Sequence, residues 1–398
     1  MDVAYTRPMA ENRAQWGAVV SMALCVSVLI ASEFMPVSLL SPIASDLGIT
    51  EGQTGQAISI SGLFAVITSL FVAVVSRRVD RKLVISGFTL TLIVSGLMVT
   101  FAPTYPLLMA GRALLGIAIG GFWSMSTSIV MRLVSEREVP KGLAMLNAGN
   151  AIAATIAAPL GSFLGTYVGW RGAFFLVVPL ALLALVWQWI SLPSLPPRGR
   201  QRAGVFRLLA RPQVVLGMGS ILLLFMGQFA LFTYLRPFLE GVTGMSVNAL
   251  SLVYLAMGLA GVGGTWVISR LLETRLFAIL ATIPLLMAGA AVALVALGAQ
   301  PFPVSLLLLA WGFFGTAAPV GWGTWLSRTL ADDAEAGGGL QVATIQLAIT
   351  LGAAIGGLLF DAVSWWSPFA LAAALLSGSS LMAAAAWRNA RMAHTPPG

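Results

Sequence analysis

Charge is scarce in this chain. Asp, Glu, Lys and Arg make up 9% of its 398 residues while hydrophobic types make up 58%, a balance that no water-soluble domain of this length needs for its core. The solvent for most of the surface is therefore lipid. Cysteine and histidine occur once each, as Cys25 and His394. A single cysteine excludes an intrachain disulfide, and with one of each residue no metal site or Cys/His nucleophile constellation can be assembled, which weighs against enzymes of those kinds. Cys25 lies inside an apolar run and is read as inert; His394 lies in a polar tail. No cofactor is expected. The first twelve residues carry both charge signs and lead into an apolar run without a small-residue cleavage site, so no removable signal peptide is expected. Large polar loops are missing as well, which leaves a membrane enzyme or a receptor as the most distant reading.

What the chain has in abundance is apolar runs. A spanning helix takes about 20 apolar residues, and twelve such runs are predicted, at residues 16–40, 53–75, 83–101, 106–130, 142–167, 173–191, 214–238, 247–269, 276–298, 303–325, 338–360 and 367–387. The basic residues then orient them. Arg77, Arg78, Arg81 and Lys82 follow the second run, Arg132, Arg137 and Lys141 the fourth, and five arginines from Arg198 to Arg211 the sixth. Arg270 and Arg275 follow the eighth, Arg328 the tenth, and Arg388 and Arg391 the twelfth. The opposite loops hold Arg171 and Arg236. Short loops rich in Lys and Arg stay in the cytoplasm, so both termini are expected there, in a multi-pass protein of a bacterial inner membrane. This placement also accounts for the net charge of +8, and no nucleic-acid partner is expected.

The longest polar connection, residues 191–211 with Pro193, Pro196 and Pro197, divides the chain into an N-terminal half, 1–190, and a C-terminal half, 212–398. The halves carry matching residues at a fixed offset, the mark of a duplication. Gly161, Leu164, Val168, Trp170, Phe174 and Leu176 match Gly356, Leu359, Val363, Trp365, Phe369 and Leu371, each 195 positions later, and the same offset takes Phe34 to Phe229 and Pro42 to Pro237. An offset of 199 takes Gly116 to Gly315 and Trp123 to Trp322. The expected architecture is all-α, with two pseudo-symmetric six-helix bundles about an axis along the membrane normal. That is the major facilitator arrangement, in which substrate lies between the halves near the midplane.

The halves differ where charge is concerned. Glu33 corresponds to Gln228, and Arg112 to Trp311. A charge at the bilayer centre costs roughly 2.5 to 3.5 kcal/mol on insertion scales, so Glu33 and Arg112 are expected to face a cavity or each other. A structural ion pair is one reading. The other makes Glu33 a proton carrier and Arg112 its electrostatic partner. Gln228 and Trp311 suit something uncharged. Trp311, Trp322 and Trp325 fall on one side of their helix at 100° per residue, as do Arg112 and Trp123. Phe34, Phe229, Phe232 and Thr233, with the amides Asn147, Asn150, Gln341 and Gln346, complete a set suited to a planar heterocycle bearing hydroxyls. Trp16 and Trp325 are expected in the interfacial aromatic belt.

Three motifs carry a resemblance. Arg112, Gly116 and Gly120 look like an Arg-x-x-x-Gly-x-x-x-Gly proton-coupling motif, and residues 157–165 look like an antiporter signature in which Ala158 replaces the usual Gly. Residues 77–82 resemble a loop that latches the two halves, with Arg77 where an acid normally stands. With these, the chain resembles proton-coupled drug and solute antiporters of the major facilitator superfamily. Through residues 33–40, 120–126, 227–237 and 319–325 it is similar to the bacterial purine ribonucleoside efflux pumps of that superfamily. The resemblance implies export of inosine- or guanosine-like nucleosides driven by inward proton flow; a monomer embedded in the bilayer is expected. A sugar or multidrug exporter of the same fold is the alternative.

Overall fold

The computed structural model describes residues 15–75, 78–135, 138–196, 205–330 and 334–392. The middle of the 191–211 connection falls outside them, as do Arg77, Arg137, His394 and both chain ends. Among the described residues twelve helices are long and apolar enough to cross a membrane: α1 (Trp16–Leu47), α2 (Glu51–Val72), α3 (Arg81–Thr100), α4 (Tyr105–Leu133), α5 (Lys141–Tyr167), α6 (Gly169–Ser191), α7 (Pro212–Gly241), α8 (Val247–Leu272), α9 (Thr274–Ala296), α10 (Pro301–Thr329), α11 (Gly337–Ala362) and α12 (Ser367–Asn389). The expected count is met, with most ends shifted by up to four residues and the end of α1 by more. α1 runs seven residues further, through Ser41 and Asp46, and closes on Gly48 at φ 64°. It can do so because Asp46 is answered by the indole of Trp170 at 3.2 Å and by Arg171. The helical turns run on from α8 into α9, and the break falls at the second residue of α9, Arg275, with φ −130° and ψ 33°.

Short turns at 48–50, 101–104, 168, 242–246, 297–300 and 363–366 define one end of the molecule. The connections that carry most of the arginines define the other. We call these the arginine-poor and arginine-rich ends. The buried apolar side chains fall into two clusters. One is drawn from residues 18–195, the other from 208–383 with Val37, Ile58 and Ala158 contributed across the seam.

The seam between the bundles is closed at the arginine-poor end. Asp361, at the end of α11, accepts from Thr50 Oγ1 at 2.5 Å and from the Gly52 amide at 3.1 Å, so it caps the start of α2. Gln56 Nε2 donates to the Ala354 carbonyl at 3.2 Å. Ser251 of α8 meets Ser162 of α5 at 2.8 Å. Close approach depends on Gly55 and Gly258: a Cβ at the first would enter the Tyr234 ring, and one at the second would strike Thr155. Toward the arginine-rich end the same faces diverge, and Ala148 and Ala151 of α5 and Val262 of α8 are exposed.

Candidate functional site

Pro36 shapes the middle of α1. It has no N–H to donate to the carbonyl four residues earlier, so the Ser32 oxygen is left open inside the membrane, where it needs another donor. Arg112 of α4 supplies it, with Nη1 2.7 Å from Ser32 O and Nη2 3.2 Å from Glu33 O. The rest of the guanidinium goes to α2, with Nε 2.9 Å from Ala57 O and Nη2 3.4 Å from Ser61 Oγ. Arg112 reaches so far because Gly116 and Gly120 bring α4 against the Ser61 and Ala65 carbonyls. The expected partner of Glu33 thus spends its donors on main-chain oxygens beside the acid. The glycine motif is the packing surface that puts it there. In the same way Gly161 and Gly165 of the 157–165 signature seat α5 on Met35, Ser38 and Leu39 of α1.

Glu33 is 3% exposed and its Oε1 has no hydrogen-bond partner among the described residues. Gln346 of α11, itself buried, lies beside the carboxyl, so the acid faces the opposite bundle. Next to it a chain of rings crosses the seam. Phe34 lies tilted on Phe229 at 5.6 Å, Phe229 meets Phe232 edge-on at 6.1 Å, and Phe232 meets Tyr254 edge-on at 6.4 Å. Beside these rings, Gln228 Oε1, Thr233 Oγ1 and Tyr254 Oη are buried without a hydrogen-bond partner among the described residues. So is Trp311 Nε1, one helical turn from Gly315, against which the Gln228 amide rests. Buried polar atoms in proteins are normally bonded. Those in this cluster are open to a ligand, to water or, at Glu33, to a proton. Tyr254 was not anticipated: α8 has no counterpart in the duplication argument, and one tyrosine in an apolar run carries no signal of its own.

Other expected residues lie elsewhere. Trp322 and Trp325 meet edge-on at 5.4 Å inside the C-terminal core, 1% and 0% exposed. The expectation of Trp325 in the interfacial belt is therefore corrected. Its ring fills the space over Gly217 of α7, and a bare glycine opposite an indole is what draws it inward. Trp16 is half-buried, with Lys141 4.7 Å over its ring. Trp123 packs against the N-terminal core. Asn147 is exposed and bonds its own helix at Leu143 O, 3.0 Å away, while Asn150 and Gln341 are half-buried. These three amides lie in the arginine-rich halves of α5 and α11, away from the ring chain.

In the loop motif, Asp80 faces its own bundle. It caps α3 through the Lys82 amide at 2.8 Å and accepts from the Ser194 hydroxyl and, at 3.0 Å, the Leu195 amide. Partial burial pushes its carboxyl up, but these hydrogen bonds and the charge of Arg132 outweigh it and hold the group below its ordinary value.

Twelve spans in two bundles, meeting at a seam that holds a buried acid, amides and rings, define a membrane transporter and not an enzyme. The chain belongs to the Major Facilitator Superfamily, whose model matches residues 22–338. It is 52% identical over 381 residues to a transcription regulatory protein, OpdE, of Pseudomonas aeruginosa, covering 94% of each chain. It is 44% identical over 374 residues to the purine ribonucleoside efflux pump NepI of Salmonella typhimurium, again covering 94% of each. Among solved structures it is similar to a bacterial homolog of the human lysosomal transporter Spinster, in an inward-facing and unoccupied conformation, with TM-score 0.73, 15% identity, and 95% and 96% of the two chains covered.

Proposed function

We propose that this protein exports purine ribonucleosides across the bacterial inner membrane in exchange for inward-moving protons, as a monomer with both termini in the cytoplasm. The observation that carries the reading is the cluster of unpartnered polar atoms at the ring chain, with Glu33 at one end and Tyr254 at the other. A nucleoside supplies both what the rings need, a flat base, and what the polar atoms need, hydroxyls and ring nitrogens that donate and accept. The 44% identity to nucleoside efflux pumps supports the same substrate class. Phe34, Phe229, Phe232 and Trp311 then form the stacking wall, and Gln228, Thr233 and Gln346 the hydrogen-bonding one. Asn147, Asn150, Trp123 and Gln341 line the approach, and Trp322 supports the wall from the core.

Glu33 is the proton carrier on this reading, because it is the acid at mid-span and an ionised carboxylate there is costly. Arg112 holds α1 and α2 around it and lends a positive field. The N-terminal half, 1–190, couples the proton and the C-terminal half, 212–398, grips the substrate. The arginine-rich end is cytoplasmic, so the closed seam faces outward and the diverging faces of α5 and α8 lie on the cytoplasmic side, from which an exporter loads. The regulatory name of the Pseudomonas relative is compatible, since exporting a solute changes its internal concentration. Purified protein in liposomes decides the matter. Inosine and guanosine should move uphill when a pH gradient is imposed and stop when it is collapsed. A panel in which sugars or hydrophobic cations move and nucleosides do not would establish the alternative exporter instead.

A further inference from the structure

Pro42 repeats in α1 what Pro36 does six residues earlier: it withholds the N–H that would close a helical bond, this time to the Ser38 carbonyl. The missing donor comes from the other bundle. Arg236 of α7 bonds the Ser38 oxygen through Nη1. Its guanidinium is fixed by Glu240 one turn later, with Nη2 at 2.7 Å and Nε at 2.9 Å from the same carboxylate oxygen. Arg236 is 4% exposed although it belongs to a membrane span. Each proline-freed carbonyl of α1 is thus completed by an arginine, with one difference. Arg112 belongs to the same bundle as α1, so its bond survives any rigid movement of the halves. Arg236 belongs to the other, so its bond exists only while the arginine-poor ends are together.

We propose that Arg236 is a positioning residue of the transport cycle, holding the arginine-poor gate shut by completing the Ser38 carbonyl that Pro42 leaves open. Glu240 aims the guanidinium and balances its charge, so the clamp adds no net charge to the seam. A cavity of about 520 Å³, lined in part by Ser41, Pro237 and Glu240, opens beside the clamp. Water entering from it solvates both the carbonyl and the guanidinium when the bond breaks, which keeps opening reversible. The proposal rests on the reading that the bundles part and close at this end during transport.

The test places spin labels at Thr104→Cys and Gln300→Cys, exposed positions in the α3–α4 and α9–α10 turns of the two bundles, in a Cys25→Ser background, and measures the distance distribution by double electron–electron resonance. Arg236→Gln should lower the ratio of the short to the long population about tenfold, the factor one charge-assisted hydrogen bond carries. Pro42→Ala should move the ratio the same way, because it returns an N–H to the Ser38 carbonyl while leaving every charge in place. Arg236→Lys, which keeps the charge and fewer donors, should fall between parent and Gln. Parent-like distributions in both Arg236→Gln and Pro42→Ala overturn the proposal. So does opening by Arg236→Gln alone, since the carbonyl would then not be what the arginine serves. Should the Arg236 variants fail to fold, Pro42→Ala decides by itself. A protein that moves no nucleoside but whose variants open as described loses the substrate reading and keeps the clamp; one that transports nucleosides while its variants stay closed loses the clamp alone.

Discussion

Glu33 is held at mid-span with one carboxyl oxygen unpartnered while the neighbouring guanidinium is committed to main-chain oxygens. An acid so placed changes its surroundings whenever it gains or loses a proton, which is what coupling requires. Glu33→Gln, which is neutral throughout, should lower gradient-driven accumulation by about tenfold or more, the size of a typical coupling free energy. Exchange of labelled for unlabelled substrate across liposomes without a gradient should continue in the same variant. Gradient-driven accumulation at the parent's level would remove Glu33 from the mechanism. Asp80 presents a different titration. Its carboxyl is held below the ordinary value by bonds to the 194–195 segment, so the folded state binds its proton less readily than the unfolded chain does. The stabilisation is therefore present at neutral pH and is lost as pH falls below the ordinary carboxyl range, about 4. Asp80→Asn should lower stability by about 1 kcal/mol at pH 7, a value reduced for its partial exposure, and should flatten the acid limb of a melting-temperature profile. A variant with the parent's acid limb would show that Asp80 contributes nothing there.

Among the elements, α1 and α2 do unequal work. α1 gives up two helical bonds to its prolines and has both repaired from outside; α2 presents glycines where α7 and α11 must touch it. Gly55 is the tightest of these positions, because Tyr234, whose hydroxyl is bonded to Ala353 O at 2.8 Å, occupies the space a side chain would take. Overpacking costs about 1 to 3 kcal/mol, enough to reverse a conformational preference of that size. Gly55→Val should therefore prop the arginine-poor end apart while leaving the protein folded. The expected result is loss of transport with a longer Thr104–Gln300 label distance, and a variant with parental transport would show that the seam repacks. The spans themselves were legible in the sequence because lipid demands an unbroken apolar run and tolerates few charges. For the same reason Glu33 and Arg112 stood out. The fate of Trp325 was not legible, since an indole suits a membrane interface as well as a core, and Gly217 on another helix decides between them. Nor was the bond of Arg236 to a residue 198 positions away. Helical periodicity describes which face a residue is on, not what the opposite bundle sets before it. An arginine on the end otherwise poor in them was the one available hint.

At the scale of the whole molecule the two ends of the seam differ, and chemical labelling reads the difference directly. In a Cys25→Ser background, Ala148→Cys should react with a membrane-impermeant maleimide applied from the arginine-rich side. Gln56→Cys, within the closed contact of α2 with α11, should be protected from either side. Substrate with a pH gradient should bring the Gln56→Cys protein into reach from the opposite face, and a site that never becomes reactive would speak against rocking of the bundles. The contact of Asp361 with the Gly52 amide gives this movement a second character. The carboxylate that terminates α2 electrostatically belongs to the other bundle, so α2 owns only part of its own beginning. When the halves separate, the first turn keeps its own capping box, in which Thr50 Oγ1 accepts from the Gln53 amide and Gln53 Oε1 from the Thr50 amide, each at 3.0 Å, but loses the partner of the Gly52 amide, so each transport cycle weakens and restores that turn. The speed of opening is then governed partly by how well the Thr50–Gln53 box alone holds Glu51, Gly52 and Gln53 in a helix, and a glycine at the second position makes that turn a weak one.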